Sequence, residues 1–359
     1  MIRWRSGLVR SVETSWPGVI ELQVHLDGEG DVRALAYEQV VGRPQVGDRV
    51  LLNTTAVSMD LGTGGYAMVV ALPERLPADP PPGPGHLVKA RYTPLQTTVL
   101  GVDEQDAPSH EALRNADDLE GMPVVVADLH SAVPAVIAGV RAGAPEARVV
   151  YVMTDGGALP VWFSRSVAGL RNAGWLTSVV TVGQAFGGDA EAVTLHSGLL
   201  AARHLFRADI VVVAQGPGNL GTGTRWGFSG VACGEAVNAT TILGGRCVAS
   251  LRISEADPRE RHQGVSHHSL TAYGKAALTS ADVVVPELDG AFGEKVRAQL
   301  VGLSRHHLVT VAVDGLLEEL RKSPVPLSTM RRGLDDDPVY FLSAAAAGRH
   351  AANLLRQDG

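Results

Sequence analysis

The chain has 359 residues, enough for two domains with a substantial core in at least one. Hydrophobic residues make up 45% and charged residues 19%, the proportions of a globular protein. The net charge of -7 leaves no electrostatic footprint for nucleic acid or for an anionic membrane surface.

The N-terminal stretch "MIRWRSGLVRSVETSW" lacks the apolar run of a signal peptide, and nowhere do about 18 apolar residues follow one another. A cytoplasmic protein without a membrane segment is expected. Five short β-rich runs come first: "GLVRSVE", "GVIELQVHL", "VRALAY", "DRVLLNTT" and "YAMVVAL". Turn residues separate them, so residues 1–75 should form a small closed barrel whose closure hides the strand edges. Residues 1–77 carry seven Arg against nine Asp/Glu, which disfavours nucleic acid and leaves docking of a protein partner, homo-oligomerisation or capping of the larger domain. "LPADPPPGPGH", residues 76–86, holds five prolines and two glycines and reads as an extended linker.

From residue 87 to 359 the pattern changes to apolar strands alternating with helices. "MPVVVADLHS", "RVVYVMTDGG", "LTSVVTV", "DIVVVAQ", "RCVASLRIS", "DVVVPE" and "HLVTVAV" are the strands. "AVPAVIAGVRAGA", "PVWFSRSVAGLRNAG", "DAEAVTLHSGLLAARHLF" with Asp189 as its N-cap, "SGVACGEAVNATTILGG", "SLTAYGKAALTS" and "DGLLEELRKS" are the helices. The Ala-rich "FLSAAAAGRHAANLL" closes the chain as a packed helix. Continuous apolar strands between helices specify an α/β fold, a doubly wound and mainly parallel sheet with helices on both faces.

Ligands in such sheets bind beyond the carboxyl ends of the strands. The residues that follow the apolar runs there include Asp128 with His130, Asp155, Gln215, Glu287 with Asp289, and Asp314. Asp128, His130 and Asp155 are the preferred set, Asp314 being most simply a helix cap.

"VVVAQGPGNLGTGTRWGFSG" carries a strand into a loop with Gly216, Gly218, Gly221, Thr222, Gly223, Thr224 and Arg225. Gly216 to Gly221 match G-x-G-x-x-G, but the helix starts too late and no acidic residue ends a second strand about 20 residues on, which disfavours a dinucleotide site. A phosphate or carboxylate nest remains, with Arg225 as the charged fork; the bland alternative is a bend that lets a helix approach the sheet.

"SEADPRERHQGVSHHSLTAYG" places His262, His267 and His268 within seven residues. They suit a divalent metal, or, for His267 and His268 with Asp128 and Asp155, general acid–base work. The H-x-x-x-x-H-H spacing is no standard zinc signature, and Ser266 as a helix cap is the plainer reading. "RHH" at Arg305–His307 reads as solvated surface. The only two cysteines, Cys233 and Cys247, form no CxxC pair and read as inert core thiols, in keeping with a reducing compartment.

The segments "LNTTAVSMDLGTGGYAMVV", "GHLVKARYTPLQ", "GPGNLGTGTRWGFSG" and "RHQGVSHHSLTA" together resemble a bacterial family known as domain-of-unknown-function family 3866. That resemblance spans essentially the whole chain and implies no activity and no catalytic residues. The residues themselves point to an enzyme, a hydrolase or group transferase, acting on a small anionic ligand. The alternatives are a non-catalytic ligand sensor that docks a partner through its barrel, and a structural assembly protein. Acid–base groups converging on one crevice would separate the first from the others.

Overall fold

The computed structural model describes residues 1–81 and 83–357. The chain divides into two compact units, one of Met1–Pro84 with Val88–Thr98, the other of Gly85–Leu87 with the chain from Val99 onward. Leu76–Pro81 is exposed and irregular, as its prolines require, and Pro82 of the expected linker lies outside the described residues.

The first unit is a closed five-stranded barrel. Its strands are β1 (Trp4–Trp16), β2 (Val19–Leu26), β3 (Gly30–Tyr37), β4 (Arg49–Asn53) and β5 (Ala67–Ala71). They run in the order β1-β2-β3-β5-β4, and β4 pairs back onto β1 with Trp4 opposite Asn53. Alternate side chains, among them Leu22, Val24, Ala34, Ala36, Val50 and Leu52, fill the interior.

The second unit is built on an eight-stranded sheet, parallel throughout. Its strands are β6 (Pro123–Val126), β7 (Val149–Thr154), β8 (Ser178–Val182), β9 (Ala190–Ala192), β10 (Ile210–Gln215), β11 (Arg246–Ser250), β12 (Asp282–Pro286) and β13 (His307–Val311). The order across the sheet is β9-β8-β7-β10-β6-β11-β12-β13. β6 and β10 are buried at every position because helices cover both faces.

One face is covered by α1 (Val133–Gly143), α2 (Arg165–Asn172), α7 (Leu316–Arg321) and α8 (Pro338–Gln357). The other is covered by α3 (Leu195–His204), α4 (Ala232–Ile242), α5 (His267–Thr271) and α6 (Gly290–Gln299). Side chains of β6 alternate accordingly, Val125 facing the first set and Val124 and Val126 the second.

Three local expectations are corrected. Asp189 does not cap α3: its Oδ2 accepts the Val179 amide at 2.9 Å, and residues 190–192 form edge strand β9 instead. Thr194 caps α3 in a capping box with Ser197. His306 is not solvated surface but 7% exposed, its ring taking the Ala281 amide at 3.2 Å and lying 2.8 Å from the Tyr273 carbonyl. Asp314 is also one residue short of the cap of α7, a position held by Gly315.

The Ala-rich α8 packs on α1 through backbone proximity. A Cβ on Gly139 would lie 1.9 Å from the Ala345 carbonyl oxygen, and one on Gly348 would lie 1.9 Å from that of Val136. Gly139→Ala should therefore destabilise the protein by about 1–3 kcal/mol through overpacking. Gly302→Ala, where a Cβ meets open space, should stay within about 0.5 kcal/mol. Urea unfolding of the two variants checks the contrast.

Candidate functional site

The helices after β6 and β10 leave on opposite faces, α1 on one and α4 on the other. Neighbouring parallel strands with divergent connections leave a crevice at their carboxyl ends. A small crevice lies there, lined by Asp128, Thr154, Gln215, Ser229, Gly230 and Cys233 among others. Its enclosed space holds about one water-sized group.

Gln215 ends β10 and organises this wall. Its Nε2 donates to the Asp128 carbonyl at 2.6 Å and reaches Asn219 Oδ1 at 3.0 Å, and its Oε1 lies 2.6 Å from Ser229 Oγ. Gly230 passes so close to Asp128 that a Cβ there would sit 3.2 Å from the Asp128 Cβ. The Asp128 side chain is 5% exposed, with its Oδ2 buried. That oxygen has no hydrogen-bond partner among the described residues.

The histidine loop supplies the other half. Ile253–Ser254 pairs antiparallel with Gly264–Val265, closing the loop at its base. Ser266 then caps α5, accepting the His268 amide at 3.2 Å, so His267 and His268 occupy the first turn of the helix. α5 continues into a π-helical turn, Ala272–Ala276, a feature often found beside functional sites. Within the loop, Asp257 is fully buried and paired with Arg259 at 2.7 Å, Arg332 at 3.3 Å and Arg252 at 3.5 Å. Burial works against its ionisation, but the Arg259 hydrogen bonds outweigh that and hold its carboxyl well below the usual range.

The three imidazoles meet at ring-centroid separations of 4.4–5.0 Å. One nitrogen from each lies within 4.8 Å of the others. His262 is 1% and His268 6% exposed, and His267 is half-buried. His262 Nδ1 is 2.7 Å from Ser266 Oγ, and Phe228 stacks on His268 at 3.9 Å with the rings 3° from parallel. His267 Nε2 and His268 Nδ1 are buried without a hydrogen-bond partner among the described residues. Burial, reinforced by Arg252 and Arg259, pushes His262 down to about 3. Burial with His268 and nearby arginines brings His267 down to about 4. Both are neutral lone-pair donors at physiological pH.

Asp128 joins the crevice to the imidazoles. Its Oδ2 is 3.8 Å from His268 Nδ1 and 3.9 Å from Nη1 of Arg252, whose side chain is 2% exposed. Arg252 is not among the residues expected from the sequence; its signal is the second arginine of "RCVASLRIS", set between Leu251 and Ile253.

Other candidates lie apart from this group. Asp155 is exposed, and its carboxylate takes the amides of Gly157, Ala158 and Gln184 at 2.9, 2.9 and 3.1 Å. It shapes its own loop. Gly218–Arg225 forms most of an exposed hairpin, with Gly221 bridged to Phe228. Gly218 and Gly223 hold φ of +98° and +81°, which explains their identity. The amides of Leu220 and Thr222 are spent on Ser229 Oγ and the Gly227 carbonyl, and the Thr222 and Thr224 hydroxyls lie 3.1 Å apart. Arg225 is exposed at the tip, and Gly216 is buried at the base against Met153 and Leu159. The hairpin reaches the cluster through Phe228, Ser229 and Gly230.

His130 is tied to the end of β10 through Tyr151, whose hydroxyl donates to the Gln215 carbonyl at 2.9 Å. Its Nε2 is 2.7 Å from Ser164 Oγ, the cap of α2, and its Nδ1 is 3.1 Å from the Tyr151 hydroxyl. Cys233 and Cys247 are buried thiols whose ionisation burial suppresses.

The family model described as "Protein of unknown function (DUF3866)" matches residues 33–348. No curated protein and no solved structure matches the chain.

Burial lowers His130 to about 4 from 6.5. The neutral ring thus contributes stability that is complete above about pH 6.5 and is lost as pH falls towards 4. His130→Asn should be less stable than the parent at pH 7.5, and the gap should narrow by pH 4.5. Thermal melts across that range measure the gap; a constant difference would contradict a ring held neutral.

Proposed function

We propose that this chain, which belongs to the DUF3866 family, is a hydrolase or group transferase acting on a phosphate- or carboxylate-bearing small molecule at the β6/β10 crevice. The observation that carries this is the convergence of three buried atoms, Asp128 Oδ2, His267 Nε2 and His268 Nδ1, that lack hydrogen-bond partners among the described residues. Leaving a buried polar atom unpaired costs about 1–3 kcal/mol, so three together favour a group supplied from outside the protein.

The side chains divide the chemistry. Arg252 offers a guanidinium to the ligand's oxyanion, and Asp128, beside it, serves as the general base. In hydrolysis the oxygen of a water bonds to the phosphorus or carbonyl carbon and the bond to the leaving oxygen breaks. Asp128 takes the water's proton, which then passes to the leaving oxygen. In group transfer an acceptor hydroxyl replaces the water. Gln215 and Ser229 hold the crevice wall in position through their mutual hydrogen bond. His262 and His267, neutral by virtue of their low pKa values, act as lone-pair donors.

The test is turnover of p-nitrophenyl phosphate, bis(p-nitrophenyl) phosphate and p-nitrophenyl acetate by the full chain. At least one ester should be hydrolysed, and Asp128→Asn should reduce kcat by about 10²–10⁴-fold at an unchanged melting temperature. Hydrolysis unaffected by Asp128→Asn would contradict the assignment. So would no turnover of any ester together with no thermal shift from inorganic phosphate or citrate.

A further inference from the structure

We propose that His262, His267 and His268 bind one divalent cation of the zinc class, making the histidine loop a metal centre beside Asp128. This deepens the hydrolytic reading and can stand without it.

The donor set comes first. One nitrogen from each imidazole lies within 4.8 Å of the other two, whereas tetrahedral zinc with Zn–N bonds of about 2.0–2.1 Å holds its nitrogens roughly 3.3 Å apart. Small rotations of three side chains close that gap. Nitrogen donors without thiolate or a carboxylate cage suit zinc, cobalt or nickel and not magnesium or calcium.

The surroundings argue for a ligand and against a packed polar core. His267 Nε2 and His268 Nδ1 are buried and unpaired among the described residues, and the side chain of His268 is only 8% exposed. Fully partnered groups stand a few ångströms away in the same loop, such as Asp257 with its arginines. The imidazoles are also oriented from behind. With the Nδ1 proton of His262 donated to Ser266 Oγ at 2.7 Å, its Nε2 keeps a lone pair, the arrangement that commonly fixes a metal-bound histidine. The Phe228 ring, parallel to His268 at 3.9 Å, sets the plane of that imidazole.

The unusual H-x-x-x-x-H-H spacing follows from the fold. His262 lies on a 3-10 turn, Glu260–His262, and the other two at the start of α5. The Ile253–Ser254 and Gly264–Val265 ladder folds the two pieces together. Three protein ligands leave the coordination shell open, as in catalytic zinc sites. Asp128 Oδ2, 3.8 Å from His268 Nδ1, is the neighbouring carboxylate, available to a water on the cation.

The experiment uses the full chain, dialysed against a chelator and titrated with Zn²⁺ in competition with a chromophoric indicator, and separately with Co²⁺. One equivalent should bind, with the visible d–d absorption of a four-coordinate cobalt site. His267→Gln, at the half-buried position, should weaken binding by more than roughly 100-fold, and Ser266→Ala by roughly 10–100-fold, the size of second-shell effects. Circular dichroism of each variant verifies folding, and a zinc-induced thermal shift of the unmodified chain gives a readout independent of any substitution. No binding of either metal by the unmodified chain would overturn the proposal, as would binding undiminished in folded His267→Gln. Metal bound by a chain that neither turns over any ester nor shifts with phosphate or citrate sustains the cation site and removes the hydrolase reading. Ester turnover by a chain that binds neither metal does the reverse.

Discussion

The divergence of the chain after β6 and β10 is the constraint on which the site depends. Both strands are buried on both faces, so neither can carry a polar side chain within its length at small cost. Polar groups enter at the strand ends and beyond them, where the connections part, one to α1 and one to α4. Asp128 and Gln215 stand at that parting. The hydrogen bond from Gln215 to the Asp128 carbonyl spans it and fixes the distance between the two loops.

What is built on that junction separates into satisfied and unsatisfied polar groups. Asp257 is fully buried and holds three arginines, and Gln299 takes the Val265 amide at 2.7 Å. These bonds give the histidine loop a fixed shape although it has little regular structure. Breaking such a buried pair from one side costs about 3–5 kcal/mol, which makes the loop a rigid support. Against that background the unpaired atoms of Asp128, His267 and His268 are conspicuous. His130, by contrast, is within hydrogen-bond distance of both Ser164 Oγ and the Tyr151 hydroxyl, and Ser164 caps a helix as well.

Much of the architecture was legible in the sequence because it rests on short-range periodicity. Five alternating runs form the five strands of the barrel, and the continuous apolar runs form strands of the parallel sheet, buried except at edge strand β13. Edge strand β9 was missed because "AEA" sits just before a helical pattern, and Asp189 resembles an N-cap until its bond to the Val179 amide is seen. The site was legible in part. Asp128 and the histidines could be chosen from residue type and position, but their meeting depends on β11 lying beside β6, a long-range pairing that no local pattern encodes. Arg252 escaped for the same reason. The composition of the glycine loop is that of an anion nest; in the fold the loop is an exposed hairpin in which Gly218 and Gly223 hold positive φ and Gly216 packs on Met153 and Leu159.

The central claim is that the unpaired atoms at the sheet edge await a ligand. A crystal structure of the zinc-soaked protein, with anomalous data collected across the zinc absorption edge, tests it most directly. The account predicts one strong anomalous peak between His262, His267 and His268, on the side of Asp128. Crystals with no peak there, and with the imidazoles hydrogen-bonded to one another or to Asp128, would contradict it.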